Sequence, residues 1–163
     1  MSIVGIRIDD RLIHGQVVNF WIPQLHVERV LIIDDEIAHD KTRKALLKLG
    51  CPAGCKASIF EVDKSIEKLK NHIDKGIRVM ILARSPQPLL ALISSGYSID
   101  RIIVGNMSSK SGAKKFKNNV FIGPEEKKAF ETLNDLGVGL YFKTSPTDAG
   151  EQITNGDLEK LRF

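Results

Sequence analysis

Cysteine and aromatic residues are scarce in this sequence. The chain has two cysteines, and aromatic residues make up 6% of its 163 positions. One pair of cysteines supplies half of the ligands of a structural zinc site and too few bridges for a disulfide-stabilised secreted domain. We therefore expect Cys51 and Cys55, which are separated by three residues, to be reduced thiols without a metal-binding or redox role.

Long hydrophobic runs are also lacking. No apolar stretch reaches the roughly 20 residues that a membrane-spanning helix needs. The first residues lack the basic and apolar regions of a secretory signal, so the sequence predicts a cytoplasmic protein. The net charge of +4 is modest, and zinc-finger spacings and aromatic RNA-binding motifs are missing, which argues against a nucleic-acid partner. One group of lysines forms a patch that is expected to attract an acidic protein or phosphate: Lys110, Lys114, Lys115 and Lys117.

Apolar stretches of strand length alternate with amphipathic stretches of helix length along most of the chain. Strands are predicted over 3–8, 29–33, 57–62, 79–83, 102–104, 120–122 and 138–142. Helices are predicted to begin near residue 16, over 37–49 and 64–75, from residue 86, over 124–136 and, at the end, over 158–161. This alternation predicts a doubly wound α/β fold, with a mostly parallel sheet and helices on both faces. The length fits one domain over 1–163.

Polar side chains gather where the first predicted strand ends. The apolar run 3–8 is followed by Asp9, Asp10, Arg11, His14, Gly15 and Gln16. Ligands bind at the carboxyl ends of strands in open α/β sheets, and a helix N-terminus beside an arginine suits phosphate. The spacing therefore indicates that His14 carries a phosphoryl group with Arg11 beside it. The simpler alternative is that His14 caps the helix while Arg11 pairs with Asp9 or Asp10.

Other predicted loops lie at the same edge of the sheet. Arg84 and Ser85 follow the fourth strand, where Ser85 is expected to cap a helix that begins at Pro86. From this edge Arg84 and Ser85 are placed to contact phosphate. The acids that follow the second strand, at 34–36, suit a helix N-terminus through the dipole.

Two other functions have to be weighed against a phosphohistidine. A dinucleotide-binding enzyme needs Gly-x-Gly-x-x-Gly after its first strand, and the chain has no such motif there. A receiver-like signalling module uses a phosphorylated aspartate beside metal-binding acids, and this alternative stays open because of Asp9, Asp10, Asp34 and Asp35. The two phosphorylated groups differ in chemistry, since phosphohistidine is lost in acid and survives alkali, whereas an acyl phosphate is labile to alkali.

The run Arg7-Ile8-Asp9-Asp10-Arg11-Leu12-Ile13-His14-Gly15-Gln16-Val17 resembles the signature of a known family. The family comprises the IIB components of the mannose/fructose/sorbose group of the bacterial sugar phosphotransferase system. Further likeness at 129–133 and 136–138 extends it over nearly the whole chain. The resemblance implies that Nδ1 of His14 accepts a phosphoryl group from a phosphorylated IIA component. His14 would then pass that group to a sugar bound at the membrane-embedded IIC and IID components.

The residues and the resemblance together assign roles within such a phosphotransferase. Arg11 stabilises the phosphate, and Asp10 orients the loop through Arg11 or through a backbone N–H group. Contacts to substrate are assigned to Gly15, Gln16, Arg84, Ser85, Asn106 and Lys114, whereas Arg7 and Asp9 are expected to be only structural. No metal or cofactor is needed, because arginine and the helix terminus supply the positive potential.

The partners and the sugar follow from the resemblance alone. It implies peripheral association with the membrane transporter and is compatible with a homo-oligomer. Mannose, fructose, sorbose and N-acetylgalactosamine systems share the scaffold. Where several related proteins have Gly-Gly-Met, this chain has Gly105-Asn106-Met107, which favours an amino sugar.

Overall fold

The computed structural model describes residues 2–163. Its strands are β1 Ile3–Asp9, β2 Arg29–Ile33, β3 Lys56–Phe60, β4 Val79–Ala83, β5 Arg101–Asn106, β6 Lys114–Lys117, β7 Val120–Ile122, β8 Gly139–Phe142 and β9 Glu151–Gln152. Its helices are α1 Ile22–Gln24, α2 Asp35–Ala38, α3 Lys41–Gly50, α4 Val62–Lys70, α5 Gln87–Ser94, α6 Pro124–Asp135 and α7 Asn155–Glu159. A π-helical segment, Val17–Trp21, leads directly into α1.

Seven strands form one sheet in the order β3-β2-β4-β1-β5-β8-β9. All pairs are parallel except that of β8 with β9, and β6 and β7 form a separate antiparallel hairpin. The chain leaves β1 towards β2 on one side and leaves β5 towards β8 on the other, so a crevice opens between the carboxyl ends of β1 and β5. This arrangement confirms the predicted doubly wound fold.

Each face of the sheet is covered by an apolar layer. On one face, side chains such as Ile8 and Leu31 pack with Phe130 of α6 and with buried residues of α4, α5 and α7. On the other face, Trp21 packs with buried side chains of β2 and β4 and with α2. Burial on both faces explains why the central strands, above all β4, are apolar along their whole length.

Several helix boundaries differ from the predictions. The single helix predicted over 37–49 is two helices, because the side chain of Asp40 accepts a hydrogen bond from the Arg43 N–H group and starts α3 anew. Helix α4 ends at Lys70, and soon afterwards His72 takes a left-handed conformation (φ 58°) that no helix tolerates. Helix α5 begins one residue later than predicted, with Pro86 at the N-cap, so Ser85 does not cap it.

Within residues 2–163, no helix is both long enough and apolar enough to cross a bilayer.

Candidate functional site

The loop after β1 folds back on itself within three residues. The N–H group of Leu12 donates to the carbonyl oxygen of Asp9 at 2.9 Å, and Leu12 adopts a left-handed conformation with φ of 59°. This conformation is costly for leucine, and the buried position of the Leu12 side chain in the core helps to hold it. The turn returns the chain to the end of β1, so that His14 lies against Asp9.

Asp9 is the centre of the site, and its carboxylate is fully buried. Its Oδ1 accepts from the backbone N–H group and from Nε of Arg11, each at 3.1 Å. Its Oδ2 lies 3.1 Å from Nη2 of Arg11, 3.2 Å from Nη2 of Arg7 and 3.1 Å from Nε2 of His14. Burial acts to raise the pKa of Asp9, but the hydrogen bonds from Arg11 and the charges of Arg7 and His14 outweigh it and lower the pKa. The carboxylate therefore stays charged inside the protein.

Arg7 anchors the cluster from beneath, and its side chain is fully buried. Its Nη1 donates to the carbonyl oxygen of Lys143 at 2.8 Å, and its guanidinium lies 4.6 Å from the centre of the Trp21 ring. The guanidinium fills the space beside Gly105 of β5, where a Cβ atom would overlap it. Glycine at position 105 is therefore a condition for the burial of Arg7.

His14 is held through both of its ring nitrogens. Nε2 faces the Asp9 carboxylate, which only accepts, while Nδ1 lies 3.3 Å from the backbone nitrogen of Gln16, which only donates. Both contacts are satisfied when the proton is on Nε2 and the lone pair is on Nδ1. Burial lowers the pKa of His14, although the charge of Asp9 opposes this shift. The neutral ring therefore has its electron pair on Nδ1, where it accepts the Gln16 N–H group at the start of the helix.

Arg11 connects the carboxylate to the helix. While its Nε and Nη2 contact Asp9, Nη2 also donates to Oε1 of Gln16 at 3.0 Å. Its side chain is 41% exposed, so the guanidinium is within reach of an incoming ligand. Gly15 leaves the approach open, because the nearest atom to a Cβ there would be 3.9 Å away on Asn19. We call Arg7, Asp9, Arg11, His14 and Gln16 the Asp9 cluster.

Asp10 links the carboxyl end of β1 to that of β5. Its carboxylate accepts from the backbone N–H group of Ser108 at 2.6 Å and from Nδ2 of Asn106 at 2.8 Å. Of the two routes that we expected for Asp10, the contact is to a backbone N–H group, whereas Arg11 is bound by Asp9. Asn106 therefore lies beside the site, because it contacts Asp10, which directly follows Asp9 in the chain.

Three residues that we predicted to contact substrate have no hydrogen bond to His14 in the described part of the chain. Arg84 donates from Nη2 to Oδ1 of Asp34 at 2.9 Å and lies 3.4 Å from a carboxylate oxygen of Glu36. Lys114 lies in β6 with its Nζ 5.4 Å from the centre of the Phe163 ring. Within residues 2–163, neither these two side chains nor that of Ser85 forms a hydrogen bond with the Asp9 cluster.

The predicted lysine patch is partly neutralised. Lys110 lies 2.7 Å from the buried carboxylate of Glu126, and Lys117 lies 2.6 Å from Glu151.

The acids that a receiver-like module would use have structural partners. Asp34 accepts from the N–H group of Ile37 at 2.9 Å, and Asp35 accepts from that of Val62 at 2.7 Å. In the described part of the chain, no group of three or more His, Cys, Asp or Glu side chains is arranged to hold a metal ion.

We expected Asp9 and Arg7 to have only a structural role, and this expectation did not foresee their contacts within the candidate site. Both residues contact the imidazole or its carboxylate partner, so they belong to the site. The available signal was their alternation along β1: Arg7 and Asp9 share one face of a strand whose other face is apolar, and two opposite charges on a buried face have to pair.

Comparison with known proteins decides the family. The family model of the sorbose subfamily IIB component of the PTS system matches residues 3–161. The chain belongs to this family of IIB components. The PTS system fructose-specific EIIB component of Bacillus subtilis is 36% identical over 153 residues, which are 94% of this chain and 94% of that protein.

Two further relatives show what kind of proteins this IIB component resembles. The mannose-specific EIIAB component of Escherichia coli is 36% identical over 90% of this chain, and the match spans 46% of that longer protein. The crystal structure of the IIB domain of the sorbose permease from Klebsiella pneumoniae superposes with a TM-score of 0.91 at 29% identity. That superposition covers 100% of this chain and 99% of the permease domain.

Proposed function

We propose that this IIB component is a phosphocarrier in which His14 accepts a phosphoryl group from a phosphorylated IIA component and delivers it to a sugar during uptake. The observation that carries the proposal is the position of His14 between Asp9 and the N–H group of Gln16. That position supports Nδ1 as the nucleophile, because Nδ1 holds the electron pair of the neutral ring at the start of a helix and its hydrogen bond from the Gln16 N–H group is long, at 3.3 Å. The A and B parts named together in the mannose-specific EIIAB relative support a IIA partner.

In the first step, Nδ1 of His14 attacks the phosphorus of the donor phosphohistidine. The new P–Nδ1 bond forms as the donor's P–N bond breaks, and that electron pair returns to the donor ring. The proton on Nε2 of His14 stays in place, so the ring gains positive charge as the bond forms. Asp9, 3.1 Å away, stabilises this charge and holds the ring in the reactive tautomer.

Two sets of hydrogen-bond donors bind the oxygens of the transferred phosphoryl group. Arg11 is partly exposed and joined to Gln16, so it turns from Asp9 to the equatorial oxygens with a small movement of its guanidinium. The N–H groups at Gly15 and Gln16 start the helix and lack partners within it, which suits them to the same oxygens. Arg7 stays bound to Asp9, so the buried carboxylate still has a positively charged partner.

In the second step, a sugar hydroxyl at the membrane components attacks the phosphorus. A P–O bond forms, the P–Nδ1 bond breaks with its electron pair returning to His14, and the hydroxyl proton is released to solvent. Asp10, Asn106 and Ser108 fix the neighbouring crevice wall, while Arg84, Ser85 and Lys114 remain candidates for contacts to partners outside the Asp9 cluster. We expect the chain to act as one IIB domain in the cytoplasm, at the surface of the IIC and IID components.

The identity of the sugar is part of this proposal. The relatives are named for fructose, mannose, sorbose and N-acetylgalactosamine, and Asn106 is the feature that favours an amino sugar. Uptake of each of the four sugars by the complete system identifies the substrate. Uptake of mannose, fructose or sorbose without uptake of N-acetylgalactosamine would contradict the role given to Asn106.

The decisive experiment is the transfer of label from phosphorylated IIA to the wild-type chain and to His14→Ala. We expect His14→Ala to take up no label, whereas His39→Ala, at a surface histidine paired with Glu61, should take up as much as the wild type. The label on the wild type should be lost in acid and survive alkali. Label that survives on His14→Ala, or that is lost in alkali, would instead indicate an acyl phosphate on an aspartate.

A further inference from the structure

We propose that the outer face of helix α3 binds the surface of a membrane that contains anionic phospholipids. Helix α3 has no buried side chain, although it carries three leucines. Of these, Leu47 packs partly against the core, while Leu46 is 63% exposed and Leu49 is 81% exposed. Two large apolar side chains that water surrounds within one turn of a helix are typical of an interaction surface.

Two parallel stripes run along the outer side of α3. Ala45, Leu46 and Leu49 are exposed, recur at helical spacing and make the apolar stripe. Lys41 and Lys48, which are exposed, and Lys44, which is half-buried, recur at the same spacing and make a basic stripe beside it. A helix that lies in a membrane interface has this pattern, with its apolar face in the acyl boundary and its lysines reaching to the headgroups.

The basic stripe has no acidic partner within the protein. In the described part of the chain, Lys41, Lys44 and Lys48 have no carboxylate oxygen within 4.0 Å. The acids near the start of the helix are engaged elsewhere, since Asp40 caps α3 and Glu36 lies 3.6 Å from Arg43. The positive charge of the stripe is therefore available to an external anionic surface.

An anionic lipid surface fits this charge better than the membrane proteins beside it. The cytoplasmic loops of membrane proteins carry an excess of Lys and Arg, which would repel the basic stripe. The cytoplasmic leaflet itself is negatively charged, and each lysine near such a surface favours binding roughly fivefold. The apolar stripe then enters the boundary between headgroups and acyl chains, where water no longer surrounds the leucines.

The position of α3 relates this surface to the Asp9 cluster. A Cβ atom at Gly50, the last residue of α3, would lie 3.1 Å from the side chain of Ile13. Ile13 directly precedes His14, so the end of α3 adjoins the loop that carries the imidazole. Binding through α3 would hold that loop close to the membrane.

The test is co-sedimentation of the unphosphorylated chain with vesicles. One set is phosphatidylcholine alone, and the other contains phosphatidylglycerol at about 30%, which gives an anionic surface. We expect binding to the anionic vesicles only, and we expect high salt to abolish it because salt screens exposed charges. Equal binding to both sets would overturn the proposal, because the basic stripe would then have no part in it. No binding to either set would also overturn it and would leave an acidic protein surface as the partner of α3.

Substitutions in α3 test whether this helix is the surface that binds the vesicles. Lys41→Gln/Lys44→Gln/Lys48→Gln should lower the vesicle-bound fraction by about tenfold or more, and Leu46→Ser/Leu49→Ser should also lower it. The matched controls are Lys70→Gln/Lys75→Gln/Lys128→Gln, which removes the same charge from other exposed sites, and Leu136→Ser, which removes another exposed leucine. The controls should bind like the wild type, and a control that binds as weakly as the α3 variants would refute a specific surface.

This proposal and the phosphocarrier proposal fail separately. None of the substituted side chains of α3 is buried, so the variants should keep the melting temperature of the wild type. His14→Ala should bind vesicles like the wild type, whether or not it accepts a phosphoryl group. A loss of vesicle binding in His14→Ala would show that the bound surface is not α3.

Discussion

Two clusters of charge at the same edge of the sheet have a similar arrangement but contain different residues. The Asp9 cluster lies at the end of β1, and the Asp34 cluster comprises Asp34 and Glu36, which follow β2, and Arg84, which follows β4. In each, a carboxylate accepts a backbone N–H group from the turn that follows and binds the side chain of an arginine. The Asp9 cluster adds a buried second arginine and a histidine, whereas the Asp34 cluster adds an exposed glutamate.

The balance of charge follows from this difference. Asp9 faces two guanidinium groups and an imidazole, so the cluster has more positive than negative groups and suits a dianionic phosphoryl group. Asp34 and Glu36 face Arg84, and Arg43 adds one further positive charge beside Glu36, which leaves that cluster balanced. Similar acids at strand ends therefore contribute to a candidate binding site in one place and to a helix start in the other.

Gly105→Ala should have the largest effect on stability, because it displaces the buried Arg7, which has no counterpart in the Asp34 cluster. The new methyl group overlaps the Arg7 guanidinium, so the arginine has to leave Asp9 and the Lys143 carbonyl. Breaking a buried ion pair costs about 3–5 kcal/mol, and overpacking adds about 1 kcal/mol or more. Urea unfolding measures the loss. Gly156→Ala in α7, where a Cβ meets only Thr154 at 3.6 Å, is the control and should be neutral; a neutral Gly105→Ala would refute the packing of Arg7.

Asp9→Asn and Asp34→Asn compare the two clusters directly. We expect Asp9→Asn to lose about 3 kcal/mol, because it leaves the fully buried Arg7 charge without its partner. For Asp34→Asn we expect about 1 kcal/mol, because Arg84 is partly exposed and asparagine still caps α2. Urea unfolding measures both, and phosphoryl transfer should slow only in Asp9→Asn. Equal losses of stability and transfer would mean that the two clusters do not differ in kind.

The fold was largely predictable because strand burial dictates an apolar pattern that the sequence shows directly. The prediction was weaker where local contacts decide. Asp40 divides a helix by capping it, and the left-handed His72 ends another, yet neither leaves a periodic signal. The hairpin strand β6, at Lys114–Lys117, is rich in lysine and exposed, so its pattern resembles that of a loop.

The candidate site was predictable in position and less so in its contacts. His14 and Arg11 were recognisable because they follow a buried strand and precede a helix. The difference between Asp9 and Asp10 was not, since two adjacent identical side chains point to opposite sides of a strand and only the pairing of β1 with β5 decides which partner each one meets. The sequence also does not reveal that Asp34 binds the side chain of Arg84, for which a contact to phosphate stays a prediction.

The dependence of the free energy of unfolding on pH should also distinguish the Asp9 cluster from the Asp34 cluster. Because the pKa of His14 is lowered in the folded state, the unfolded chain binds its proton first, and the free energy of unfolding should fall as pH drops below about 6.5. The lowered pKa of Asp9 contributes stability above its ordinary value near 3.9, and this contribution should be lost as pH falls through the folded-state pKa. Urea unfolding from pH 8 down to about pH 3 measures both changes. His14→Gln should remove the first fall, His39→Gln should keep it, and a first fall that persists in His14→Gln would assign it to another group.

Arg11→Gln and Arg84→Gln should change the free energy of unfolding least. The two variants should nevertheless differ in the rate of phosphoryl transfer. Both guanidinium groups are partly exposed, so each ion pair should contribute no more than about 1 kcal/mol to the free energy of unfolding. In the proposed transfer, Arg11 turns from Asp9 to the phosphoryl oxygens, and removing one such donor should slow transfer about 100-fold. Arg84 is held by Asp34 and Glu36, so Arg84→Gln should transfer within about twofold of the wild type. Rapid-quench transfer from phosphorylated IIA measures both rates. A slow Arg84→Gln beside a normal Arg11→Gln would place the phosphoryl group at the Asp34 cluster, because charge at that strand end would then be what the reaction needs.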